Sequence, residues 1–443
     1  MTALLSDLRQ RMDASPYQGY VYAYPHKTAY RPLNPARSLT QVWADQSRRD
    51  LFLYLHIPFC GMRCGFCNLF TQAKPAESLV TLFLDALERQ AIQTRDALPD
   101  ASFARFAIGG GTPTYLDESG LGRLFDLALN TMGVDATIIS TGIEVSPETV
   151  TMGKMALLKA VGVERISMGI QSFIETETQN SGRPQRLSDV HAALQMIRQQ
   201  SFTTLNLDLI YGLPGQTLIT WMHSLREALR YTPEELYLYP LYVRPLTGLG
   251  RSDKEWDDIR LACYRAARDE LRDCGYQQVS MRMFRAPQAQ VESGVAYCCQ
   301  SDGMIGLGCG ARSYTRSLHY SGDYAVGAKS IKAILADYVT RDDAAFSHVD
   351  YGVELDDAEQ RRRWLLQSLF PVAGLNRAHY AERFGVDVLS DFPELGELCE
   401  LGLVIESTDK ITLTDAGIER SDAIGPWLFS TAMLERMEAY ELR

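Results

Sequence analysis

Positive charge is in short supply: 44 Lys and Arg face 55 Asp and Glu, a net charge of −11 over 443 residues. Nonspecific binding to nucleic acid or to an anionic membrane rewards the opposite balance, so neither partner is expected. No run of about 18 apolar residues occurs, which argues against a membrane span. The opening MTALLSDLRQRMDAS has no apolar stretch long enough for a secretory signal. Low-complexity tracts are missing, and so is any repeat beyond a strand–helix period. A disulfide framework is missing as well. The nine cysteines are odd in number, and Cys263, Cys274, Cys298, Cys299, Cys309 and Cys399 are scattered. These features together predict a reducing, cytoplasmic location. The hydrophobic share of 46% and charged share of 22% are those of an ordinary globular protein with one large core and a smaller one.

Residues 51 to about 245 alternate short β-branched or aromatic runs with longer amphipathic ones. The short runs are LFLYLHI (51–57), FARFAIG (103–109), TIISTGIEV (137–145), RISMGI (165–170), TLNLDLIYG (204–212) and LYLYPLYV (236–243). Helical spacing separates them, as in residues 78–92 and 187–200. Six such units predict a parallel α/β sheet with right-handed crossovers, either an open partial barrel or a doubly wound sheet. Residues 254–274 are expected as a helix and 275–284 as a strand, followed by the glycine-rich GMIGLGCGARSY (303–314). Past 356 come a helix, a second helical stretch over 376–401, and a hairpin in GLVIESTDKITLTDAG, which suggests a small winged-helix-like domain. The resulting division is an extension over 1–50, a barrel over 51–250, a barrel extension over 251–350 and a C-terminal domain over 351–443.

Polar residues gather where the strands end. Strand one runs into HIPFCGMRCGFCNLF and strand two into GGGTPTYL. Strand three ends in Glu144 and strand four in Gln171. Strand five carries Asn206 and Asp208, and strand six carries Tyr239 and Tyr242. Ligands bind at this rim in parallel βα folds, because loops and helix N-termini converge there. Cys60, Cys64 and Cys67 lie in the first loop. A structural zinc site wants four closed ligands, and His56 is placed toward a strand interior. A redox dithiol leaves Cys60 unexplained. An iron–sulfur cluster held by three thiolates leaves one iron open to a reactive ligand, which suits a rim crowded with polar groups.

The CxxxCxxC loop after the first strand resembles the signature of radical S-adenosylmethionine (SAM) enzymes. The likeness extends to the oxygen-independent coproporphyrinogen III oxidase (coproporphyrinogen dehydrogenase)-like family. LYLHIPFCGMRCGFC, GGGTPTYL, GIEVSPE, RISMGIQSF, SGRPQ, LDLIYGLPGQT, GYQQVSMRMFRAP and GLGCGARSY carry it over most of the chain. The resemblance implies a partial (βα)6 barrel in which Cys60, Cys64 and Cys67 hold a 4Fe–4S cluster. SAM, one molecule or two, would chelate the open iron and be split reductively to a 5′-deoxyadenosyl radical that abstracts a substrate hydrogen. It implies an electron donor of the reduced flavodoxin or ferredoxin type and a small-molecule substrate. By the same resemblance Tyr54, Glu144, Gln171, Arg183 and Asp208 contact SAM, Phe66 shields the cluster and Ile210 packs on adenine. Gly110, Gly111 and Thr112 are expected to offer backbone N–H groups as a nest.

Relatives within this branch decarboxylate porphyrinogens, transfer methyl groups, open heme rings or carry heme. The decarboxylating relatives have a further cysteine beyond the cluster motif, where Asn68 and Leu69 stand here. The heme carriers have a His-Asn-x-x-Tyr-Trp stretch that is absent from VAYCCQSDGMIGLG (295–308), and Arg312 stands where relatives often have histidine. Oxidation or methyl transfer on an unidentified substrate is therefore the expected chemistry, with heme trafficking as the alternative. Cys298 and Cys299 are either substrate-facing thiols or small buried hydrophobes. YVYAYPHKTAYR, with His26, Lys27 and Arg31, is either a lid that meets an anionic substrate or a strap under the barrel.

Overall fold

The computed structural model describes residues 2–251, 258–290 and 298–442. Six parallel strands appear in the expected places: β1 (Leu51–Ile57), β2 (Phe103–Gly110), β3 (Ser140–Val145), β4 (Arg165–Gln171), β5 (Thr204–Tyr211) and β6 (Glu235–Pro240). They are hydrogen-bonded in chain order. In β1, Leu51, Leu53 and Leu55 are fully buried, while Phe52 and Tyr54 on the opposite face are only partly covered. That period of two fixes which face meets the helices and which faces the barrel interior. The crossover helices include Glu77–Ala97, Glu118–Asp126, Met152–Ala160, Leu187–Gln199 and Leu218–Leu229. Asp117, Thr151 and Thr217 cap three of them by accepting a backbone N–H.

The sheet extends past both ends of this set. The glycine-rich segment supplies β7 (Met304–Leu307), a further parallel strand that pairs with β1 through Gly306 opposite Tyr54. It then turns into the antiparallel β8 (Arg312–Tyr314). Leu318–Ser321, His348–Glu354 and the N-terminal strand Arg31–Ser38 follow antiparallel, so one sheet takes strands from before residue 50 and from beyond 250.

Three expectations need correction. Residues 275–284 are not one strand: Gln277–Gln278 and Met283–Arg285 fold back on each other as an antiparallel pair, and Met283–Arg285 adds to β6. Apolar residues in a short run do not tell a strand from a turn between two strands. The stretch 376–401 breaks into Arg377–Phe384, Val388–Asp391 and Leu395–Glu400. Gly385 stops the first of these at φ +77°, as a left-handed C-cap does, and Pro393 separates the last two. The helix expected at 254–274 is seen as Arg260–Asp273; residues 254–257 lie outside the described residues. The C-terminal hairpin, Val404–Glu406 with Lys410–Leu413, gains Leu375–Asn376 as a third strand. With Asp357–Leu369 and the short helices this gives a helix-and-wing unit. Among the described residues no helix is long and apolar enough to cross a membrane.

Candidate active site

The loop Phe59–Phe70 leaves β1 at its C-terminal end and is held by glycines. Gly65 donates to the Ser181 carbonyl at 3.0 Å and accepts from the Leu249 N–H at 2.7 Å. A Cβ on Gly65 would stand 2.6 Å from the Ser181 oxygen, and one on Gly248 would stand 3.0 Å from the Gly65 Cα. The loop is thus wedged between the segments after β4 and β6, where only glycine fits. Thr112 Oγ1 donates to Cys60 Sγ at 3.7 Å, Arg183 Nη1 to Cys64 Sγ at 3.5 Å, and Cys67 Sγ pairs with Thr71 Oγ1 at 3.8 Å.

The glycines after β2 do not form the expected nest. Gly111 donates to the Ile57 carbonyl at 2.7 Å and Thr112 to that of Phe59 at 2.7 Å, while Gly110 donates to Glu144 Oε2 at 3.1 Å. All three N–H groups are spent on protein acceptors, which pins the cysteine loop to the end of β2. Small size is what these residues contribute. A Cβ at 111 would meet Cys60 Sγ at 2.9 Å, and one at 109 would meet the Glu144 carboxyl at 2.9 Å.

His56 sits between two glycines. Cβ atoms at 110 and 310 would strike its ring at 2.7 and 2.8 Å. Its Nε2 pairs with the Phe70 carbonyl at 3.1 Å, and burial holds it well on the neutral side, at about 4. It is a packing residue, as its place in the strand predicts.

Around the thiols the strand ends converge. Gln171 adopts φ +70° at a bulge where β4 slips against β5, a device that re-aims a side chain. Arg183 Nη2 donates to the Gly169 carbonyl at 2.6 Å, which fixes the guanidinium between β4 and Cys64. Asn206 donates to Ser167 Oγ at 2.7 Å and to Asp208 Oδ1 at 2.8 Å. Glu144 is open to the barrel interior yet surrounded by protein. Desolvation, with Asp208 nearby, raises its carboxyl to about 7. Burial raises Asp208 to about 6 against the opposing hydrogen bond from Asn206. Phe66 packs with Ile210, Leu213, Leu241, Leu249 and Tyr239 in an apolar cluster separate from the main core. Tyr54, whose hydroxyl is 3.4 Å from His56 Nδ1, lies within electrostatic reach of both Glu144 and Arg312.

The N-terminal segment crosses this same end of the barrel. Tyr17 stacks edge-on to Tyr211 and Tyr20 to Tyr239, at 6.0 and 6.2 Å between centroids. Arg282 lies 3.8 Å above the Tyr20 ring and is paired at 2.6 Å with Asp422 of the C-terminal unit. Tyr242 also bonds Asp422. Cys298 donates to Gln367 at 2.9 Å, and Cys299 lies within electrostatic reach of Arg312 and Tyr314. Residues 295–297 of that stretch lie outside the described residues. The sequence reading did not single out Thr71, Gly65, Gly248, Arg282 or Asp422. For the glycines a hint was present in CGFC and TGLG, where small residues flank a crowded loop.

A model of the radical SAM superfamily matches residues 54–228. Oxygen-independent coproporphyrinogen III oxidase of Escherichia coli is 27% identical over 436 residues, covering 91% of this chain and 92% of that one. The heme chaperone HemW of E. coli is 30% identical over 269 residues, 59% of this chain and 69% of the relative. HemW of Bacillus subtilis is 28% identical over 374 residues, 82% and 95% respectively. The solved structure of E. coli coproporphyrinogen III oxidase (HemN) shares the fold at a TM-score of 0.79 and 23% identity, over 95% of this chain and 98% of that one. The chain belongs to the radical SAM superfamily, in the family that includes oxygen-independent coproporphyrinogen III oxidase and HemW. Membership brings a 4Fe–4S cluster and SAM as cofactors.

The residues fit such a cluster. Among the described residues, no three His, Cys, Asp or Glu side chains converge as one metal ion requires. Cys60, Cys64 and Cys67 are nonetheless half-buried and within electrostatic reach of one another. Three soft thiols on one loop suit an iron–sulfur centre that leaves one iron for a non-protein ligand. Burial pushes the Cys60 thiol up to about 12, so without iron it is an inert thiol rather than a nucleophile.

Proposed function

We propose that this protein is a radical SAM enzyme in which Cys60, Cys64 and Cys67 hold the cluster and the surrounding strand ends hold SAM. The observation that carries this reading is the convergence of three half-buried thiols, paired carboxylates and an apolar patch at one barrel end. Bound together, the two cofactors supply a 5′-deoxyadenosyl radical for hydrogen abstraction.

The chain's own residues bind and orient. Arg183, anchored on Gly169, presents a fixed guanidinium for a carboxylate of SAM. Glu144 and Asp208 accept from the ammonium or ribose hydroxyl groups, and binding a cation there offsets the cost of their burial. Gln171, turned inward by its bulge, adds a polar contact. Ile210 and Phe66 form the apolar wall against which adenine packs, and Phe66 with Tyr54 keeps water from the reacting carbon. The N-terminal segment closes the open end as a lid, since its tyrosines lie over β5 and β6.

With the cluster and SAM bound, a flavodoxin or ferredoxin-type donor in the cytoplasm would supply the electron for SAM cleavage. The substrate would be either oxidised, passing one further electron to an acceptor of the iron–sulfur or flavin class, or methylated from a second SAM. The resemblance to HemW supports heme trafficking as the second reading. The test is anaerobic turnover of SAM by the reduced, reconstituted chain. 5′-Deoxyadenosine well above a Cys64→Ala control supports the enzyme. S-Adenosylhomocysteine in addition selects methyl transfer. No product above that control, with one heme bound per chain, selects trafficking.

A further inference from the structure

Two cations lie within electrostatic reach of each other, and neither has an anionic partner among the described residues. Arg312, on β8, lies under the N-terminal segment with its Cζ 4.8 Å from the Tyr22 ring centre and 5.8 Å from that of Tyr314. Its Nη1 is buried and has no hydrogen-bond partner. Lys27 places Nζ 3.7 Å over the Tyr324 ring. Tyr324 in turn donates to the carbonyl of Asn68, the residue after the last cluster cysteine, at 3.2 Å. Arg312 and Lys27 repel each other, and Lys27 also feels the Cys67 thiol. Tyr22, Tyr30, Tyr54 and Tyr314 act electrostatically on the guanidinium, and Cys299 lies within its reach. His26 lies within electrostatic reach of Lys27, Arg312 and Arg244, and the carboxylate of Glu144 acts on the neighbouring Tyr54. Neither forms an ion pair among the described residues.

Partly burying one unpaired cation is costly, and a second cation within electrostatic reach adds to the cost. Such an arrangement persists where a ligand supplies the missing charge. We propose that Lys27 and Arg312 form an anion site that receives a carboxylate of the substrate between the N-terminal lid and β8, beside Cys67. The guanidinium matches a carboxylate in two-point fashion, the ammonium adds a third donor, and Tyr22 and Tyr54 lie within electrostatic reach of the guanidinium. This deepens the reading above by giving the substrate an acidic group and a fixed end. It also gives Arg312 a use in the place where relatives often carry histidine. The carboxylate of SAM is the competing source of the same chemistry. Arg183, bonded to Gly169 beside Cys64, is already placed for that one.

The test uses the full-length, cluster-loaded protein under anaerobic conditions, with succinate as the dicarboxylate probe and succinamide as its neutral counterpart, followed by calorimetry. Succinate is expected to bind and succinamide to fail. Lys27→Met and Arg312→Met are each expected to weaken succinate by about tenfold or more, while SAM affinity stays within about twofold. Arg312→Lys keeps the charge but not the two-point fit, so it should recover only part of the affinity; it also serves if Arg312→Met does not fold. The proposal is overturned by failure of the unaltered protein to bind succinate, by equal binding of succinamide, or by no loss in Lys27→Met. It is equally overturned by a matching loss of SAM affinity, which would place the anion on the cofactor. SAM cleavage measured on the same samples stands or falls separately, so failure of the radical reading is distinguishable.

Discussion

Gly111 lies so close to Cys60 that a Cβ at position 111 would stand 2.9 Å from the cysteine Sγ and 2.5 Å from the Phe59 carbonyl oxygen. The end of β2 and the start of the cysteine loop are therefore one packed unit, held by the Gly111 and Thr112 N–H groups. Gly111→Ala should fold, since the clash is confined to the loop, but should push Cys60 out of place. Iron per chain and visible absorbance after reconstitution should fall to roughly half or less, with unchanged far-ultraviolet dichroism. Full cluster content in the variant would remove the structural role assigned to Gly111.

Glu144 gives a pH dependence whose sign can be worked out. Its carboxyl is raised from 4.5 to about 7 in the fold, chiefly by desolvation and further by Asp208. A group whose folded pKa exceeds its unfolded one leaves stability intact below the unfolded value and loses it as pH rises through the folded value. Glu144→Gln removes that loss. Without SAM, the variant should match the parent's Tm near about pH 4.5 and exceed it near about pH 8. With SAM the order at high pH should reverse, because the carboxylate has gained its cation. Melting curves at both pH values with and without SAM check both halves.

Arg183 reaches both Gly169 and Cys64, at 2.6 and 3.5 Å, through two nitrogens of one planar group. Lysine keeps the charge but has no second, fixed nitrogen. Arg183→Lys should weaken SAM by about tenfold or more, in line with about 1.5–3 kcal/mol for a hydrogen bond to a charged group. Cluster content should be unaffected. Equilibrium binding of SAM to the loaded protein reads this directly.

Arg282 and Asp422 join the barrel to the C-terminal unit through a pair whose side chains are 5% and 1% exposed. Asp422→Asn leaves a buried guanidinium uncompensated and should cost about 3–5 kcal/mol in chemical denaturation. Replacing both residues by apolar ones of similar volume should cost much less. Because Arg282 also supports the Tyr20 ring at 3.8 Å, the single variant should loosen the N-terminal segment, read as faster proteolysis there.

Much of this was legible in the sequence, because the relevant signals are local. LFLYLHI alternates large apolar residues at a period of two, and it occupies β1 over the expected residues, Leu51–Ile57. The three cysteines, Glu144 and Asp208 were placed at one rim by strand order alone. Non-local pairing was not legible. Nothing in RPLNPARS indicates that it pairs with His348–Glu354, and nothing in KTA and ARSY indicates that Lys27 and Arg312 come within electrostatic reach of each other. GYQQVSMRMF lacks a strong turn signal, so its fold-back was hidden. The GGGT segment misled for a different reason. Glycine permits close approach, but the sequence does not say whether a ligand or the neighbouring loop makes that approach. Here the loop does.

Three thiols holding a cluster with one iron open to SAM would leave a spectroscopic signature. The most direct measurement is the electron paramagnetic resonance spectrum of the reduced, reconstituted protein before and after SAM is added. A 4Fe–4S signal should change its g-values on adding SAM, with no such response in Arg183→Lys until SAM is raised by about tenfold. A reduced cluster whose spectrum is the same with and without saturating SAM would contradict an iron open to SAM.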